Sequence, residues 1–440
     1  MRFYSTRDPG RKTAVDLKTA LLTGLAPDGG LYQPEHVPTI SVGRQATWRA
    51  HACFADLAAE ALGAWFGDDV EGAVLRRIAA QAYDFPVPCV ELARGAWVLD
   101  LTHGPSQSFK DFAAQFLLRL LDHLLARDGE DALLLTATSG DTGGAVASAC
   151  HGRARIRAVI LYPKGKISAL QERQIAASPA GGENVTAIAV EGTFDDCQRL
   201  VKELLYDPAL RGRRVTSANS INVGRLLPQT CYYWWAAFRA AQHGRPATFA
   251  VPSGNFGNLT AGVLAQRMGA PIAHFVAATN VNDAVPRYLA TGQYAPQPIH
   301  HTISNAMDVG NPSNWERLSQ LFGEDLAQMR RQLTGFVVDD AATRQTMRQA
   351  YARYQYQFDP HGAVAWHALE QFRASVGPNG TLPLCVALAT AHPAKFPEIV
   401  QDATGIAPAV PAGLAACLHR PLAALTAAPT AAAIRALLPG

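Results

Sequence analysis

The sequence predicts an α/β protein of mostly parallel sheets covered by helices, with a mainly helical unit ahead of them. Three observations carry this. From Trp97 onward, short β-rich runs alternate with amphipathic helical patterns. Two of those runs end in Gly-rich turns that open helices. The chain's 440 residues also exceed what one simple core holds, so two or three domains are expected.

Residues before about Val87 mix turns such as Ala26-Pro-Asp-Gly-Gly30 with helical stretches around 48–66 and 70–83. The apolar run 96–101 reads as a buried strand, and residues 109–125 repeat apolar side chains at helical spacing. Further strands are expected at 132–137, 156–162, 185–190, 247–251, 274–278 and 384–389, and helices between them at 143–151, 195–205 and 259–268. A long apolar helix is expected over 226–241. Residues 293–312 carry Pro, His and Asn with little periodicity and read as a mobile surface segment. Helices follow over 315–332 and 341–357. The Ala- and Pro-rich tail ends in a last helix over 431–438.

Composition excludes several classes. With 48% hydrophobic and 17% charged residues and a formal charge of +3, nothing points to a polyanionic partner such as nucleic acid. Arg211-Gly-Arg-Arg214, the densest basic cluster, is short and lacks interleaved aromatics. Seven scattered cysteines without a CxxC pair argue against a disulfide framework and a zinc site. The N-terminus has no apolar leader, and no stretch approaches eighteen uninterrupted apolar residues, so no membrane association is expected and a reducing cytoplasm fits.

The chemistry begins at Ser106-Gln-Ser-Phe-Lys110-Asp-Phe112, where a lone lysine stands between strand and helix. Burial and the positive helix end would both favour a neutral, nucleophilic amine there. A lone lysine is more commonly a solvated surface group, so its company decides. In Thr136-Ala-Thr-Ser-Gly-Asp-Thr-Gly-Gly144, the N–H groups and hydroxyls of Thr138, Ser139 and Thr142 can bind a carboxylate, and a single helix cap would need fewer polar residues. Val251-Pro-Ser-Gly-Asn-Phe-Gly-Asn-Leu-Thr260 suits a phosphate cradle, although by spacing alone a capped helix fits as well. It lacks the Gly-Lys-[Ser/Thr] ending of an ATPase loop. In Ser217-Ala-Asn-Ser-Ile-Asn-Val-Gly-Arg225, the residues Asn219, Ser220 and Arg225 could clamp a second anion, or form a helix cap beside a surface arginine. The run Ala387-Leu-Ala-Thr-Ala-His-Pro-Ala-Lys-Phe396 ends a strand in Thr390, whose hydroxyl could meet a heteroaromatic nitrogen. His392 and Lys395 stay outside the expected site.

These stretches, with Tyr162-Pro-Lys-Gly-Lys-Ile-Ser168, Ala277-Ala-Thr-Asn-Val-Asn282 and Gly29-Gly-Leu-Tyr-Gln-Pro34, resemble the threonine synthases, in their bacterial and fungal branch of the fold type II pyridoxal-phosphate enzymes. The resemblance runs in order over nearly the whole chain. It implies two parallel-sheet domains like those of the tryptophan synthase β subunit. Residues 1–87 would form an N-terminal unit and 88–405 the catalytic region, with about 130–230 as a smaller mobile sheet unit and 406–440 as a tail. It implies that Lys110 holds pyridoxal 5′-phosphate as a Schiff base, that Gly254, Asn255, Phe256, Gly257 and Asn258 cradle the cofactor phosphate, and that Thr390 meets the pyridine nitrogen. Asp141 stands where many fold type II relatives carry asparagine near the cofactor's 3′-oxygen. Thr138, Ser139 and Thr142 would bind the substrate carboxylate; Asn219, Ser220 and Arg225, with Lys166, would take the substrate phosphate. The implied reaction turns O-phospho-L-homoserine and water into L-threonine and phosphate, in a monomer or homodimer. The alternatives are phospholyase or serine/threonine dehydratase chemistry on the same scaffold, and a non-catalytic protein that binds pyridoxal phosphate or anions.

Overall fold

The computed structural model describes residues 1–177, 184–240, 245–376 and 383–439. At the N-terminus, β1 (Phe3–Ser5) and β2 (Tyr32–Pro34) pair antiparallel, and four helices follow the chain: Leu17–Thr23, Val42–Arg49, Phe54–Phe66 and Gly72–Ala82. The expected helical stretch 48–66 is therefore two helices, the first capped by Ser41, which accepts from the Arg44 N–H. Trp48 meets Trp234 edge-on at 5.1 Å, so the unit packs onto the α/β part of the chain through aromatic contacts.

Two sheets build the rest. The larger comprises β3 (Cys89–Ala93), β4 (Ala96–Asp100), β9 (Ala247–Pro252), β10 (Ile272–Thr279), β11 (Leu333–Val337) and β12 (Leu384–Ala389), in the order β11-β10-β9-β12-β4-β3. All neighbours run parallel except β3 against β4. The smaller contains β5 (Ala132–Ala137), β6 (Ile156–Pro163), β7 (Val185–Val190), β8 (Val215–Ser217) and β13 (Ala424–Ala427), parallel throughout in the order β13-β7-β6-β5-β8. The expected strands are all present. The additional ones, β3, β8, β11 and β13, are three to five residues long and lie at sheet edges, where half-exposed sequence leaves little periodic signal.

The helix Lys110–Asp128 is buried on nearly all sides through its first four turns, packed among the helices Leu17–Thr23, Gly72–Ala82 and Asp141–Cys150. Phe112 fixes its start. That ring lies 5.3 Å from Phe54, 5.9 Å from Tyr83 and 5.2 Å from Tyr232, and the Tyr83 hydroxyl donates to the Phe112 carbonyl at 2.8 Å. The N-terminal unit thus helps to hold the helix that carries Lys110.

Several sequence expectations change. The helix expected over 226–241 is Val223–Leu226, a 3₁₀ turn Leu227–Gln229, and Thr230–Ala240, because Pro228 has no N–H to continue the ladder; residue 241 lies outside the described residues. The helix expected over 315–332 splits into Trp315–Leu321 and Leu326–Gln332, where Gly323 and Glu324 take left-handed φ of 61° and 59°. Segment 293–312, expected as a mobile surface loop, is tied to the turn that follows β10. Asp308 accepts from Asn280 at 2.9 Å and Thr302 at 2.7 Å, and Asn282 and the His300 N–H bond across at 2.9 Å. The segment expected as a tail supplies β13 to the smaller sheet, and its final helix, Ala431–Arg435, seats Ile434 at 0% exposure among Leu200, Leu204 and Val190.

Because Ile434 is enclosed, Ile434→Ala should destabilise the protein by about 2–5 kcal/mol. A thermal melt that does not move would show that this segment does not dock.

Candidate active site

A cavity of about 550 Å³ opens where the carboxyl ends of β5, β8, β9 and β12 converge. Its walls include Lys110, Thr138, Ser139, Asp141, Thr142, Asn219, Ser220, Arg225, all of residues 254–258, and Thr390. Of the site residues read from sequence, only Lys166 stands apart. It is exposed beyond β6, with its N–H on the Pro163 carbonyl at 3.2 Å, and the lysine that joins Lys110 in the wall is Lys202.

Lys110 opens its helix next to Thr390: the Phe109 N–H donates to the Thr390 carbonyl at 2.9 Å, and the His392 N–H to the Gln107 carbonyl at 3.0 Å. These bonds pin the helix N-terminus to the end of β12. The Lys110 side chain keeps 16% exposure through the cavity, enough for a small ligand to reach it. Burial lowers its pKa to about 8; Lys395 and Arg225 push the same way, against Asp141 and Asp359. Its Nζ is 3.8 Å from Asp141 Oδ2 and 4.4 Å from the centre of the Phe109 ring.

Asp141 begins the helix Asp141–Cys150. Burial works to raise its pKa, but Lys395 and Lys110 beside it, with hydrogen bonds from Lys395 and Gln171, outweigh that and hold it well below the usual carboxylate range. In the turn before it, Gly140 has φ 136°, and a Cβ there would stand 2.4 Å from Gln171. The Thr138 hydroxyl accepts from the Gly140 and Gly143 N–H groups at 2.9 and 2.8 Å, so it shapes the turn and leaves Ser139 and Thr142 at its mouth.

The second turn joins β9 to the helix Gly257–Met268. Among the described residues no acceptor takes the N–H groups of residues 254–258. Phe256 holds a left-handed φ of 59°, a strained geometry for a phenylalanine. Asn258 Oδ1 accepts from the Tyr232 and Tyr233 hydroxyls at 2.8 and 2.6 Å, which fixes the amide, and its buried Nδ2 has no partner. Gly254 is needed sterically, since a Cβ would lie 2.9 Å from both the Ala306 carbonyl oxygen and Met307 Cα. A row of free donors with an orphaned buried amide is the donor set a phosphate group needs, so these residues fit pyridoxal phosphate.

The third stretch divides its labour. The Asn219 side chain bonds both backbone groups of Ala137, at 3.1 and 2.7 Å, and so ties β8 to β5. Arg225 is 5% exposed; one guanidinium nitrogen donates to the Ala218 carbonyl, and its buried Nε lacks a partner. Burial lowers its pKa to about 10. Ser220 lies beside the cofactor turn, its Cβ 3.9 Å from where a Cβ on Gly257 would stand.

Sequence reasoning missed three contributors. Arg317, 1% exposed, donates to the carbonyls of Tyr32 at 2.7 Å and Ile221 at 2.6 Å, clasping β2 to the Ser220 stretch; a lone arginine in a short helix gives no signal of this. His361 lines the cavity, its Nδ1 on Asp359 at 2.6 Å and its Nε2 accepting from the Ala306 N–H at 3.1 Å. Gln171 follows Ser168, and its spacing was legible as a capping box, but its bond to Asp141 at 3.0 Å was not.

Two parallel-sheet units facing a cleft, with a lysine at a buried helix start opposite a phosphate-binding turn, define a fold type II pyridoxal-phosphate-dependent enzyme. Comparison with known families agrees: the family described as Pyridoxal-phosphate dependent enzyme matches residues 82–386, Threonine synthase N terminus matches 2–83, and Threonine synthase, C-terminal matches 362–437. The chain is 39% identical to the threonine synthase of Escherichia coli K12 over 440 residues, covering 100% of this chain and 99% of that protein. The crystal structure of the Escherichia coli enzyme superposes with a TM-score of 0.90 over 99% of both chains. The pyridoxal-phosphate-bound enzyme from Brucella melitensis, 34% identical, gives 0.91 over 99% of this chain and 98% of that one. The chain belongs to the threonine synthase family. Likeness to a tomato threonine deaminase, 16% identical with a TM-score of 0.56 and covering 85% of this chain and 94% of that one, reflects the shared fold alone.

Gly254→Ala should weaken pyridoxal phosphate binding at least tenfold, because the new Cβ meets backbone that cannot swing aside. Titrating cofactor-free protein by absorbance reads this; an unchanged dissociation constant would refute the cradle.

Proposed function

We propose that the chain converts O-phospho-L-homoserine and water to L-threonine and phosphate, with Lys110 as the lysine that binds the cofactor and carries the α-proton. The observation that carries this reading is one amine in a cavity that also holds two adjoining sets of groups suited to anions, residues 254–258 and Ser220 with Arg225. A dehydratase acting on an unphosphorylated amino acid needs only the first.

When bound, pyridoxal phosphate supplies an electron sink for a carbanion at the substrate's α-carbon. The chain's residues do the rest. The Gly254 to Asn258 N–H groups and the Asn258 amide would hold the cofactor phosphate, and Thr390 would serve the ring nitrogen. The free N–H groups at Ser139 and Thr142, at a helix N-terminus, take the substrate carboxylate. This orients the α-C–H toward the Lys110 amine. With a pKa of about 8 that amine has a sizeable neutral fraction near neutrality, so it can remove the α-proton and later return it. Loss of a Cβ proton lets phosphate leave from Cγ, and the departing dianion is met by Arg225 and Ser220, with Lys202 at the rim. The proton taken from Cβ returns at Cγ, which makes Cβ electrophilic, and water then adds there. Asn219 acts by holding the β5 and β8 ends in register, and Arg317 by fixing the Ser220–Ile221 backbone.

The activity is assigned to the cytoplasm, on small molecules, with no nucleic-acid partner, in a monomer or homodimer. Its support is a composition of modest net charge and seven cysteines, all free. No helix among the described residues is long and apolar enough to cross a membrane.

Lys110→Ala should lose both the cofactor's Schiff-base absorbance and all turnover, while far-ultraviolet circular dichroism stays unchanged. A variant that keeps either property would refute the assignment.

A further inference from the structure

Lys395 belongs to the run after β12, and the reaction described above does not use it. Its side chain is wholly buried, which a lysine tolerates only when well paired. Nζ lies 2.7 Å from Asp141 Oδ1 and donates to the Ser106 carbonyl at 2.8 Å. The other oxygen of the same carboxylate, Oδ2, is 3.8 Å from Lys110 Nζ. One carboxylate therefore stands between two amines. Oδ1 also accepts from Gln171 Nε2 at 3.0 Å, so Asp141 is turned by two donors toward Lys395.

We propose that Lys395 is a positioning residue for Lys110: by engaging the Asp141 carboxylate, it keeps that carboxylate from locking the Lys110 amine as an ammonium. Lys110 is then left free to act as nucleophile and base.

The asymmetry of the contacts supports this. Two amines beside one carboxylate leave an excess positive charge in a desolvated place, and the amine with the poorer acceptors gives up its proton first. Lys395 has two oxygen acceptors within 2.8 Å, whereas Lys110 has one at 3.8 Å and an aromatic ring. The charged groups facing Lys110 are Asp141, Lys395, Arg225 and Asp359; Asp111, in the first turn of the Lys110 helix, and His392, in the run after β12, face Lys395. Lys395 and Arg225 oppose a charged Lys110, and Asp141 and Asp359 favour one. Removing Lys395 would both lift a repulsion and leave Asp141 with Lys110 as its nearest cation. The Ser106 contact also braces the loop that leads into the Lys110 helix, so the test must separate charge from bracing.

The proposal rests on Lys110 being the cofactor lysine, and it is tested without cofactor. Cofactor-free protein is treated with an amine-acylating reagent, and the rate of Lys110 modification is followed by mass spectrometry across pH. The unsubstituted protein should show a half-point near 8. In Lys395→Met it should rise by about one pH unit or more. In Asp141→Asn it should fall, and adding Lys395→Met to Asp141→Asn should produce less than half the upward shift seen alone. A brace without an electrostatic role would leave the half-point in place. An unchanged or lowered half-point in Lys395→Met overturns the proposal; should that variant not fold, an Asp141→Asn half-point that does not fall overturns it instead. If Lys110→Ala retained the cofactor's absorbance, the functional reading would fail while the labelling result stood on its own.

Discussion

Burying an amine beside a carboxylate without letting the two settle into a tight ion pair is the constraint around which this cleft is built. A desolvated lysine readily loses its charge, and a nearby carboxylate readily restores it. Here the carboxylate of Asp141 lies 2.7 Å from Lys395 and 3.8 Å from Lys110, so the stronger pairing falls on the amine that is closed to solvent. Arg225 adds a second buried cation facing the same cavity. Lys110 and Arg225 thus place cationic groups in the wall of a cavity that would receive a cofactor and a substrate each bringing a phosphate.

The scaffold serves that charge balance by fixing backbone ends. The start of the Lys110 helix is held by Thr390 at its first turn and by a ring cluster around Phe112. The phosphate turn is held by Tyr232 and Tyr233 through Asn258, and by the close approach of Ala306 and Met307 to Gly254. Arg317 carries the same logic to the N-terminal unit. Its guanidinium is bound by carbonyl oxygens and an asparagine rather than by a carboxylate, so its charge stays uncancelled close to Ser220. Through Arg317 the N-terminal unit is tied to the backbone beside Ser220, a residue that lines the cavity.

Much of this was legible in the sequence, because long buried strands and Gly-rich turns carry strong local signals. Residues 132–137, 185–190 and 384–389 are strands over those same spans, and the turns at Thr138 and Gly254 face one cavity with Lys110. What escaped was set by tertiary contact. β13 lies in an Ala- and Pro-rich stretch whose composition resembles a linker, and only pairing with β7 makes it a strand. Lys166 sits in a conspicuous basic turn, yet the chain carries it outward, while Lys202 reaches the cavity from a helix whose pattern signals only amphipathicity. Asn219 looked like an anion ligand and instead spends its amide on the Ala137 backbone. Lys395 lies in the run after β12, and no spacing rule places it against Asp141, 254 residues earlier in the chain.

In the proposed function, two adjoining anion sites and one tuned lysine direct the chemistry to threonine. The most direct measurement is product analysis of the holoenzyme supplied with O-phospho-L-homoserine alone. L-threonine and inorganic phosphate should form in equal amounts, with at most traces of 2-oxobutyrate. Release of phosphate with 2-oxobutyrate in place of threonine, or no phosphate release at all, would contradict it.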